Sequence, residues 1–376
     1  MTPRPKILQI LYSGLGGHSA VSTTLVEAGG DTDPWAHHFL FFGIEPVAPA
    51  YVDDCQRQGV PFDYVAARQG RPWEAWPALA RTVKAIAPDA IILHSIKAIL
   101  PVRLAAGPRP LVAVEHQANA LKTRAEWIAS GLAQHLADRV VTLSPDYRAT
   151  LRSRLGPLFS DRRTRLVRTG IHLPPAGSAP ASILSSSTCR IGMASRFTPT
   201  KAQEDLVAAM ARLRDTHPGL DFRLALAGDG PRLPAVREAV RKAGLEDRVE
   251  LPGHLPPDQL PDWFASLDIY AQASDGETLS TALLQAMAAG IPVAGSDVPG
   301  ISDLLGSQAP GEAPLGRLVP ARNADALATA FAELAGDPAA ARDQADRARV
   351  HVTRHHSPQA MRAGYAEVLE ELWPAK

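Results

Sequence analysis

The residues from Asp268 to Gly290, DIYAQASDGETLSTALLQAMAAG, place a polar loop directly before a segment rich in alanine and leucine. The apolar segment predicts a helix, whose first backbone N–H groups have no partner inside the helix. Those N–H groups and the positive end of the helix dipole favour an anion such as a phosphate. Glu277 stands in the loop and can accept hydrogen bonds, whereas Gln285 lies farther along the helix. The segment therefore predicts an anion-binding site surrounded by polar side chains.

Two cations stand at another strand end. Arg196 and Lys201, in ASRFTPTKAQEDL, follow an apolar run of strand length, precede a predicted helix and are five residues apart. Arginine offers a planar fork of donors and lysine a point charge, so this spacing lets both reach one ligand. A pair of loop cations can also be merely solvated. The polar loop around Glu277 is a second signal at a strand end and favours the interpretation that both cations reach one ligand.

Three glycines follow the first predicted strand, in SGLGGHSA. Gly14, Gly16 and Gly17 would let the backbone approach a ligand closely before the next helix begins. A nicotinamide dinucleotide site would use such a loop, but Ser19 stands where its third glycine belongs, and no acidic residue is well placed about 20 residues later. The alternatives are therefore a ligand-facing loop, a structural tight turn and, least favoured, a dinucleotide site.

Other strand ends also carry polar residues. The GDGP turn begins at Gly228, and RVELPGH ends directly before Leu255. Both loops have ordinary turn composition, because glycine, aspartate and proline dominate turns. His94 ends the predicted strand AIILHS, and His116 ends LVAVEH. A lone histidine is most often a structural residue, so the position at a strand end is what makes both of them candidates for a ligand site.

The elements that must position these residues alternate between strands and helices. Apolar runs of strand length are separated by alanine- and leucine-rich segments in both halves of the chain. This alternation predicts parallel sheets covered on both faces. We therefore expect an α/β protein of two doubly wound, Rossmann-like domains whose strands end around one cleft. The predicted divisions are a first domain at 1–173, a Pro/Ser/Ala-rich linker at 174–188, a second domain at 189–356 and a terminal helix at 357–376.

The composition limits the kinds of partner that we expect for this protein. Acidic and basic residues balance at 39 each, so no global charge favours nucleic acid. Cys55 and Cys189 lack the spacing of a zinc site or a disulfide framework, which favours a reducing compartment. The N-terminal apolar run is too short for a signal peptide, and no run approaches the roughly 18 to 20 residues of a spanning helix. We expect a cytoplasmic protein without a metal site, and composition indicates no oligomeric state.

Two further patterns have ordinary explanations. Asp31, Thr32 and Asp33 resemble a metal-binding D-x-D motif, but they lie between a helix and a strand, far in sequence from the polar loop, so we interpret them as a turn. Seven arginines between Tyr147 and Thr169 form the main basic cluster, which we interpret as a solvated face. The alternative is docking on anionic lipid, which would make any membrane contact peripheral.

The loop, helix and flanks around Glu277 resemble the donor-sugar motif of the GT-B glycosyltransferases of family 4. In that family two glutamates are separated by seven residues, and here the second of them is Gln285. The resemblance is carried by ETLSTALLQAMAAGIPV and is strong from Ile191 to Asp303 and weaker before Gly170. It implies the GT-B fold, with two Rossmann-like domains that face a central cleft and a terminal helix that returns to the first domain.

The resemblance also implies a role for each motif that matches the family. Arg196 and Lys201 match its diphosphate-binding arginine and lysine, and Glu277 matches the residue that holds the donor sugar. His116 matches a histidine that contacts the transferred sugar and positions the acceptor or the leaving group. The other donor-binding positions would be Gly16, Gly17, Gly228, Leu255, Leu279, Ser280 and Thr281. Gln285 can accept a hydrogen bond from one ribose hydroxyl and donate one to the other oxygen, but compared with glutamate it loses a charge-assisted hydrogen bond.

The activity that the resemblance implies is that of a retaining glycosyltransferase that needs no metal or other cofactor and uses a nucleotide-diphosphate sugar as co-substrate. The acceptor would be a saccharide or a lipid-linked molecule in the assembly of bacterial lipopolysaccharide, capsule or exopolysaccharide. Gln285 keeps a second hypothesis open, a non-catalytic nucleotide-sugar-binding subunit of a larger assembly. A nucleotide-sugar epimerase with the GT-B fold is the third.

Overall fold

The computed structural model describes residues 4–14, 17–117, 119, 122–174, 188–256 and 258–373, and of residues 17–20 it describes the backbone alone. Most of the predicted linker, residues 175–187, lies outside the described residues. The chain divides into two compact units. Unit 1 consists of Met1–Ile171 with His355–Lys376, and unit 2 consists of His172–Arg354.

The sheet of unit 1 is parallel throughout and has the strand order β3-β2-β1-β4-β5-β6-β7. Its strands are β1 (Lys6–Leu11), β2 (Ala36–Gly43), β3 (Phe62–Ala66), β4 (Ala90–Leu93), β5 (Leu111–Val114), β6 (Arg139–Thr142) and β7 (Thr164–Leu166). The helices between them are α1 (Gly17–Glu27), α2 (Pro49–Gln58), α3 (Trp76–Ile86), α4 (Ile99–Ala106), α5 (Arg124–Leu136) and α6 (Pro145–Leu155). The strand order reverses between β1 and β4, which makes the gap between their ends a switch point for ligands.

Successive residues of β1 serve opposite faces of this sheet, as the two-residue period of a strand requires. Leu8 packs in a core with Leu79 of α3 and Val102 of α4. Ile7 packs on the other face with Leu25 of α1. Because both faces are covered by helices, the apolar strands of this unit show no alternation with polar residues.

The sheet of unit 2 is also parallel and has the strand order β10-β9-β8-β11-β12-β13. Its strands are β8 (Thr188–Ala194), β9 (Asp221–Ala227), β10 (Val249–Gly253), β11 (Ile269–Gln272), β12 (Val293–Ser296) and β13 (Arg317–Val319). Its helices are α7 (Gln203–Thr216), α8 (Leu233–Ala243), α9 (Leu260–Ala265), α10 (Thr281–Ala288), α11 (Ser302–Leu305), α12 (Ala324–Gly336) and α13 (Pro338–His355). The switch point lies between β8 and β11.

The two sheets wind in the same way: each chain path runs outward from its central strand in one direction and then returns to continue in the other. The prediction of two doubly wound α/β domains is therefore confirmed. In each unit the switch point collects the loops that follow two adjacent strands. These loops carry Arg196, Lys201 and Glu277 in unit 2 and His94 in unit 1, whereas His116 follows the next strand, β5.

The last helix, α14 (Pro358–Glu370), belongs to unit 1. Ser357 caps its N-terminus by accepting the Ala360 N–H at 3.1 Å, and a proline occupies the first turn, where no N–H is needed. Met361 and Tyr365 are four residues apart and pack with Val167 against the first sheet. Within the described part of the chain, no helix is long and apolar enough to cross a bilayer.

Candidate active site

In unit 2 the loops after β8 and β11 are joined by their backbones. Lys201 and Ser274 form an antiparallel bridge, and the Ala202 N–H donates to the Ala273 carbonyl oxygen at 3.1 Å. The hydroxyl of Ser274 also donates to the carbonyl oxygen of Thr200 at 2.9 Å. Since adjacent parallel strands end at the same edge of a sheet, the β8–α7 loop and the β11–α10 loop form one surface at the switch point.

The two loops bring Lys201 into an ion pair with Glu277. Both side chains are largely buried, with 17% of Lys201 and 13% of Glu277 exposed. Gln272, the last residue of β11, donates from Nε2 to Oε1 of Glu277 at 3.1 Å. The carboxylate is therefore held from two directions, by an ammonium group and by an amide.

Burial and, to a smaller extent, the positive charge of Arg196 together lower the pKa of Lys201 to about 8. Arg196 itself is exposed at the same loop. Two cations that repel one another in a partly buried site are both stabilised when an anion with more than one negative charge binds between them. This part of the site therefore favours a diphosphate over a neutral ligand.

Helix α10 starts at this loop with a side-chain cap. Ser280 Oγ accepts the Leu283 N–H at 3.2 Å and donates to Gln272 Oε1 at 2.9 Å. Leu279 and Thr281 flank the cap. Because the cap takes the Leu283 N–H, the N–H groups nearer the start of the helix are the ones that remain for a ligand.

Gln285 lies in the second turn of α10 and is partly exposed. This position agrees with the expectation that Gln285 lies inside the helix, beyond the loop that carries Glu277. A helix rises about 1.5 Å per residue, so a ligand bound at the helix entrance must extend along one face to reach it.

The GDGP turn braces the loop that carries Arg196. The Phe197 N–H donates to the carbonyl oxygen of Asp229 at 2.8 Å. Gly228 has a φ of +130°, and a Cβ at this position would lie 2.0 Å from the carbonyl oxygen of Ser195, so only glycine fits. The N–H of Gly228 donates to the Gly253 carbonyl oxygen at 2.7 Å, two residues before Leu255. The structure thus brings Gly228 next to the arginine loop, and Leu255 follows the end of the neighbouring strand β10.

Three residues of unit 2 that the sequence did not single out support the pair of Lys201 and Glu277. Gln272 is fully buried and joins Glu277 to Ser280. The hydroxyl of Tyr270 lies 3.0 Å from Gln272 Oε1. A Cβ on Gly300, which has a φ of +83°, would lie 2.6 Å from the Glu277 carbonyl oxygen. Gln272 could have been found in the sequence, because it is a polar residue inside an otherwise apolar strand. Nothing in the sequence indicated a role for Gly300.

In unit 1, the two histidines that follow β4 and β5 lie side by side. His94 Nδ1 is 2.8 Å from His116 Nε2, and their ring centroids are 5.1 Å apart. His94 is buried and His116 is partly exposed. Gly17 begins α1 at the same switch point, and Gly16 lies outside the described residues. The structure therefore joins His116 to His94, the other histidine that the sequence marked as a candidate at a strand end.

A buried ion pair holds the segment around His116. Lys122 Nζ lies 2.8 Å from Glu115 Oε2, and both side chains are fully buried. The hydroxyl of Tyr147 lies 3.0 Å from the same carboxylate oxygen. Burial lowers the pKa of Lys122, which Glu115 opposes, and burial followed by the charge of Glu115 raises the pKa of Tyr147. These contacts fix Glu115, the residue directly before His116, in the core of the unit.

The two patterns interpreted as ordinary structure have partners within unit 1. The segment Gly30–Thr32 is a short 3₁₀ turn, and Asp33 forms a two-pronged ion pair with Arg362 of α14. In the basic cluster, Arg148 and Arg152 both pair with Asp161. Arg163 donates to the Ala137 carbonyl oxygen at 2.9 Å, and Arg165 pairs with Glu371.

Comparison with known proteins identifies the class that this fold and site define. Residues 22–173 match the family model described as Glycosyltransferase Family 4, and residues 188–337 match the model described as Glycosyl transferases group 1. The two matches together cover most of the chain. The chain therefore belongs to the family 4 type of GT-B glycosyltransferases.

Two Streptomyces proteins are among its relatives. The chain is 34% identical over 183 residues to the exopolysaccharide phosphotransferase SCO2592 of Streptomyces coelicolor, which is 48% of this chain and 18% of that protein. It is 33% identical over 196 residues to the 2-deoxystreptamine glucosyltransferase of Streptomyces kanamyceticus, which is 52% of this chain and 46% of that protein. The chain thus spans less than half the length of either relative.

A solved structure covers the whole fold. Anabaena Alr3699/HepE in complex with UDP and glucose matches 98% of this chain and 100% of its own, with a TM-score of 0.80 and 19% sequence identity. The GT-B fold class predicted from the sequence is confirmed by this likeness.

Proposed function

We propose that the protein is a retaining, metal-independent glycosyltransferase. It would transfer a sugar from a nucleotide-diphosphate sugar to a saccharide or lipid-linked acceptor in the synthesis of bacterial surface polysaccharide. The observation that carries this proposal is the buried pair of Lys201 and Glu277 at the switch point of unit 2, with Arg196 on the same loop and the start of α10 beside it. It is a site with positive charge for a diphosphate and an oriented carboxylate for hydroxyl groups.

On the donor side, the site would lower the barrier by electrostatic stabilisation. The barrier to glycosyl transfer lies in separating an anionic diphosphate from a sugar with oxocarbenium character. Lys201, Arg196 and the N–H groups at the start of α10 would stabilise the leaving charge, and the backbones of the loops that carry them are already fastened together. Glu277 would hold the donor sugar through hydroxyl hydrogen bonds in the position that Gln272 sets.

On the acceptor side, we assign His116 to contact the transferred sugar and to position the reacting hydroxyl. Retention in one step requires attack from the face that the diphosphate leaves, so the hydroxyl proton would pass to the departing phosphate. A conventional general base is then not needed, and the histidine would act by hydrogen bonding and orientation.

A uridine diphosphate sugar is the first donor to test, because the solved structure with the same fold holds UDP and glucose. We propose that the protein acts in the cytoplasm, with any membrane contact peripheral and set by a lipid-linked acceptor. The relative that acts on 2-deoxystreptamine also makes a small polyol a sensible member of the acceptor panel.

The test is a donor screen followed by a transfer assay. Thermal unfolding of the purified protein is measured with uridine, guanosine and adenosine diphosphates and their sugars, since a ligand that binds only the folded state raises its stability. The donor that raises the midpoint temperature of unfolding is then incubated with a panel of acceptors. The anomeric configuration of the product is determined by NMR. A product that retains the donor configuration in the presence of a chelator supports the proposal, and inversion or a strict metal requirement overturns those parts of it.

The second candidate is the non-catalytic nucleotide-sugar-binding subunit, which Gln285 motivates. Donor binding with neither transfer nor hydrolysis across the acceptor panel would favour it. Release of an epimerised sugar in the absence of any acceptor would instead identify an epimerase.

A further inference from the structure

We infer that a chain of hydrogen bonds through the core of unit 1 sets the tautomer of His116, so that Nε2 carries the ring proton and Nδ1 presents a lone pair. The chain runs through Arg362, Asp33, His37, Gln9, His94 and His116. The tautomer follows from the structure of unit 1 alone, and its value for catalysis rests on the proposed function.

The chain begins at an ion pair whose roles are unambiguous. Arg362 donates to Asp33 through two bonds of 3.0 and 2.7 Å, and the Trp35 N–H donates to the same carboxylate at 2.8 Å. Although burial would raise the pKa of Asp33, hydrogen bonds from His37, Trp35 and Arg362 lower it to about 2. Asp33 is therefore an ionised carboxylate that can only accept hydrogen bonds.

The direction of the next bonds follows from that carboxylate. His37 Nε2 lies 3.2 Å from Asp33 Oδ2, so this nitrogen carries the proton. In a neutral imidazole the other nitrogen, Nδ1, is then an acceptor. Gln9 Nε2 lies 3.3 Å from it and donates, which turns the amide oxygen of Gln9 towards His94.

The same alternation continues to His116. Gln9 Oε1 lies 3.1 Å from His94 Nε2, and an amide oxygen can only accept, so His94 carries its proton on Nε2. The Ser22 hydroxyl, 3.2 Å from the same nitrogen, can share that proton as an acceptor. His94 Nδ1 is then a lone pair, and His116 Nε2, at 2.8 Å, donates to it.

Burial makes a different order of hydrogen bonds energetically costly. Gln9 is fully buried, and His94 and His37 are 5% and 9% exposed, so water cannot replace a bond that points the wrong way. An order in which His94 donates to His116 needs a buried imidazolium. Either the Gln9 amide is rotated, every bond up to His116 is reversed and His37 is the imidazolium, or His94 itself is the imidazolium and donates to both Gln9 and His116. Each of these orders adds a buried charge without a new counter-charge.

The consequence is that His94 and Gln9 are positioning residues for His116. On the proposed function, the Nδ1 lone pair of His116 would accept a hydrogen bond from a hydroxyl of the transferred sugar, which leaves the proton of the reacting hydroxyl for the departing phosphate. An Nδ1–H tautomer would offer a donor in its place and would orient the sugar hydroxyl differently. The central strand of the unit, through Gln9, thereby determines which kind of hydrogen bond the site offers.

The direct test is the tautomer itself. The protein is labelled with ¹⁵N-histidine, and long-range ¹H–¹⁵N correlation spectra are recorded at neutral pH without substrate, with assignments from His37→Gln, His94→Gln and His116→Gln. We expect His37, His94 and His116 as neutral Nε2–H tautomers. An Nδ1–H tautomer at His94 or His116, or an imidazolium at His37 or His94, overturns the inference. The spectra can be read even if the protein transfers no sugar, so failure of the proposed function is distinguishable.

A matched set of variants tests the role of Gln9. Gln9→Glu keeps an acceptor for His94 and should retain the Nε2–H tautomer at His94 and His116, although it replaces the donor to His37 Nδ1 by a carboxylate and should convert His37 into an imidazolium. Gln9→Leu should give a mixture of tautomers. Gln134→Leu is the control, because Gln134 is also a buried glutamine of unit 1 but bonds to Ser160 and Thr164.

For activity, we expect Gln9→Leu to lower kcat by about tenfold or more with little change in the KM for the donor, since a wrong tautomer affects the reacting geometry. Gln9→Glu should keep most of kcat, and Gln134→Leu should affect stability alone. Unchanged histidine spectra in Gln9→Leu would contradict the inference. If Gln9→Leu does not fold, the spectra of the wild type and Gln9→Glu still decide it.

Discussion

The polar networks of the two units differ in how far along the chain they reach. Each is built on a fully buried glutamine within a central strand, Gln9 in β1 and Gln272 in β11. Gln272 bonds to Glu277 and Ser280, which follow it within eight residues. Gln9 bonds to His37 and His94, and that chain extends to a residue more than 350 positions away, Arg362.

The two networks also place their charges differently. In unit 2 the charged pair, Lys201 and Glu277, lies at the partly open end of the network, where a ligand can displace or join it. In unit 1 the charged pair, Asp33 and Arg362, lies at the end away from His116, and the residues between are neutral in the order derived above. Groups that bind a charged ligand need access, whereas groups that orient a side chain need burial, because only there is a wrong hydrogen bond costly.

The largest effect is expected when the buried anchor of unit 1 is broken. Asp33→Asn leaves the Arg362 guanidinium without its counter-charge in a site where the two side chains are 7% and 15% exposed. We expect the free energy of unfolding of this unit to fall by about 3 to 5 kcal/mol, measured by urea denaturation. The control is Asp161→Asn, which removes an exposed partner of Arg148 and Arg152 and should change little. Equal effects of the two substitutions would show that the anchor is not structural.

The next effect concerns ligand binding in unit 2. Lys201→Ala removes the buried cation and Arg196→Ala the exposed one, and each should weaken diphosphate binding by about 1 kcal/mol or more, with the larger loss for Lys201. Calorimetric titration with UDP or the donor found in the screen measures it. Lys242→Ala is the control, because that lysine of α8 is 72% exposed and pairs with Glu238. Unchanged affinity in both site variants would remove the basis of the donor-site assignment.

A third effect is the pH dependence of donor affinity. The pKa of Lys201 is lowered to about 8, so the ligand-free lysine loses its proton as the pH rises through that value, while a bound diphosphate favours the protonated form. Affinity should therefore be constant below pH 8 and then fall, by up to about tenfold per pH unit. Lys201→Arg, which keeps its charge, should show no such fall. A pH-independent affinity up to pH 10 in the wild type would contradict this role for Lys201.

The smallest effect is expected at Gln285. Gln285→Glu would restore a carboxylate for the ribose hydroxyls, and a charge-assisted hydrogen bond is roughly twice as strong as a neutral one. We expect nucleoside diphosphates to bind a few-fold more tightly, with the gain lost for the 2′-deoxy analogue. The same gain with both ligands would show that Gln285 does not contact the ribose.

Much of the fold and part of the candidate site could be predicted from the sequence. The alternation of apolar strands with helices predicted two doubly wound sheets, because burial on both faces leaves a local pattern in the chain. The motif around Glu277 was visible because a loop and the helix that it starts are contiguous. The spacing of Arg196 and Lys201 predicted that both lie in one strand-end loop, and the resemblance connected that loop with Glu277.

Tertiary structure alone decided how these residues are held. No local pattern links Asp33 to Arg362, which are 329 positions apart, or Gln9 to His94, which are 85 apart. These contacts exist because parallel strands pair side by side and the last helix packs on the first sheet, so their energy depends on long-range burial. The sequence by itself therefore predicted the class of the protein and a candidate ligand-binding motif. The hydrogen-bond order around His116 was decided by the packing of the core, because a buried polar group must find its partner wherever the fold brings one.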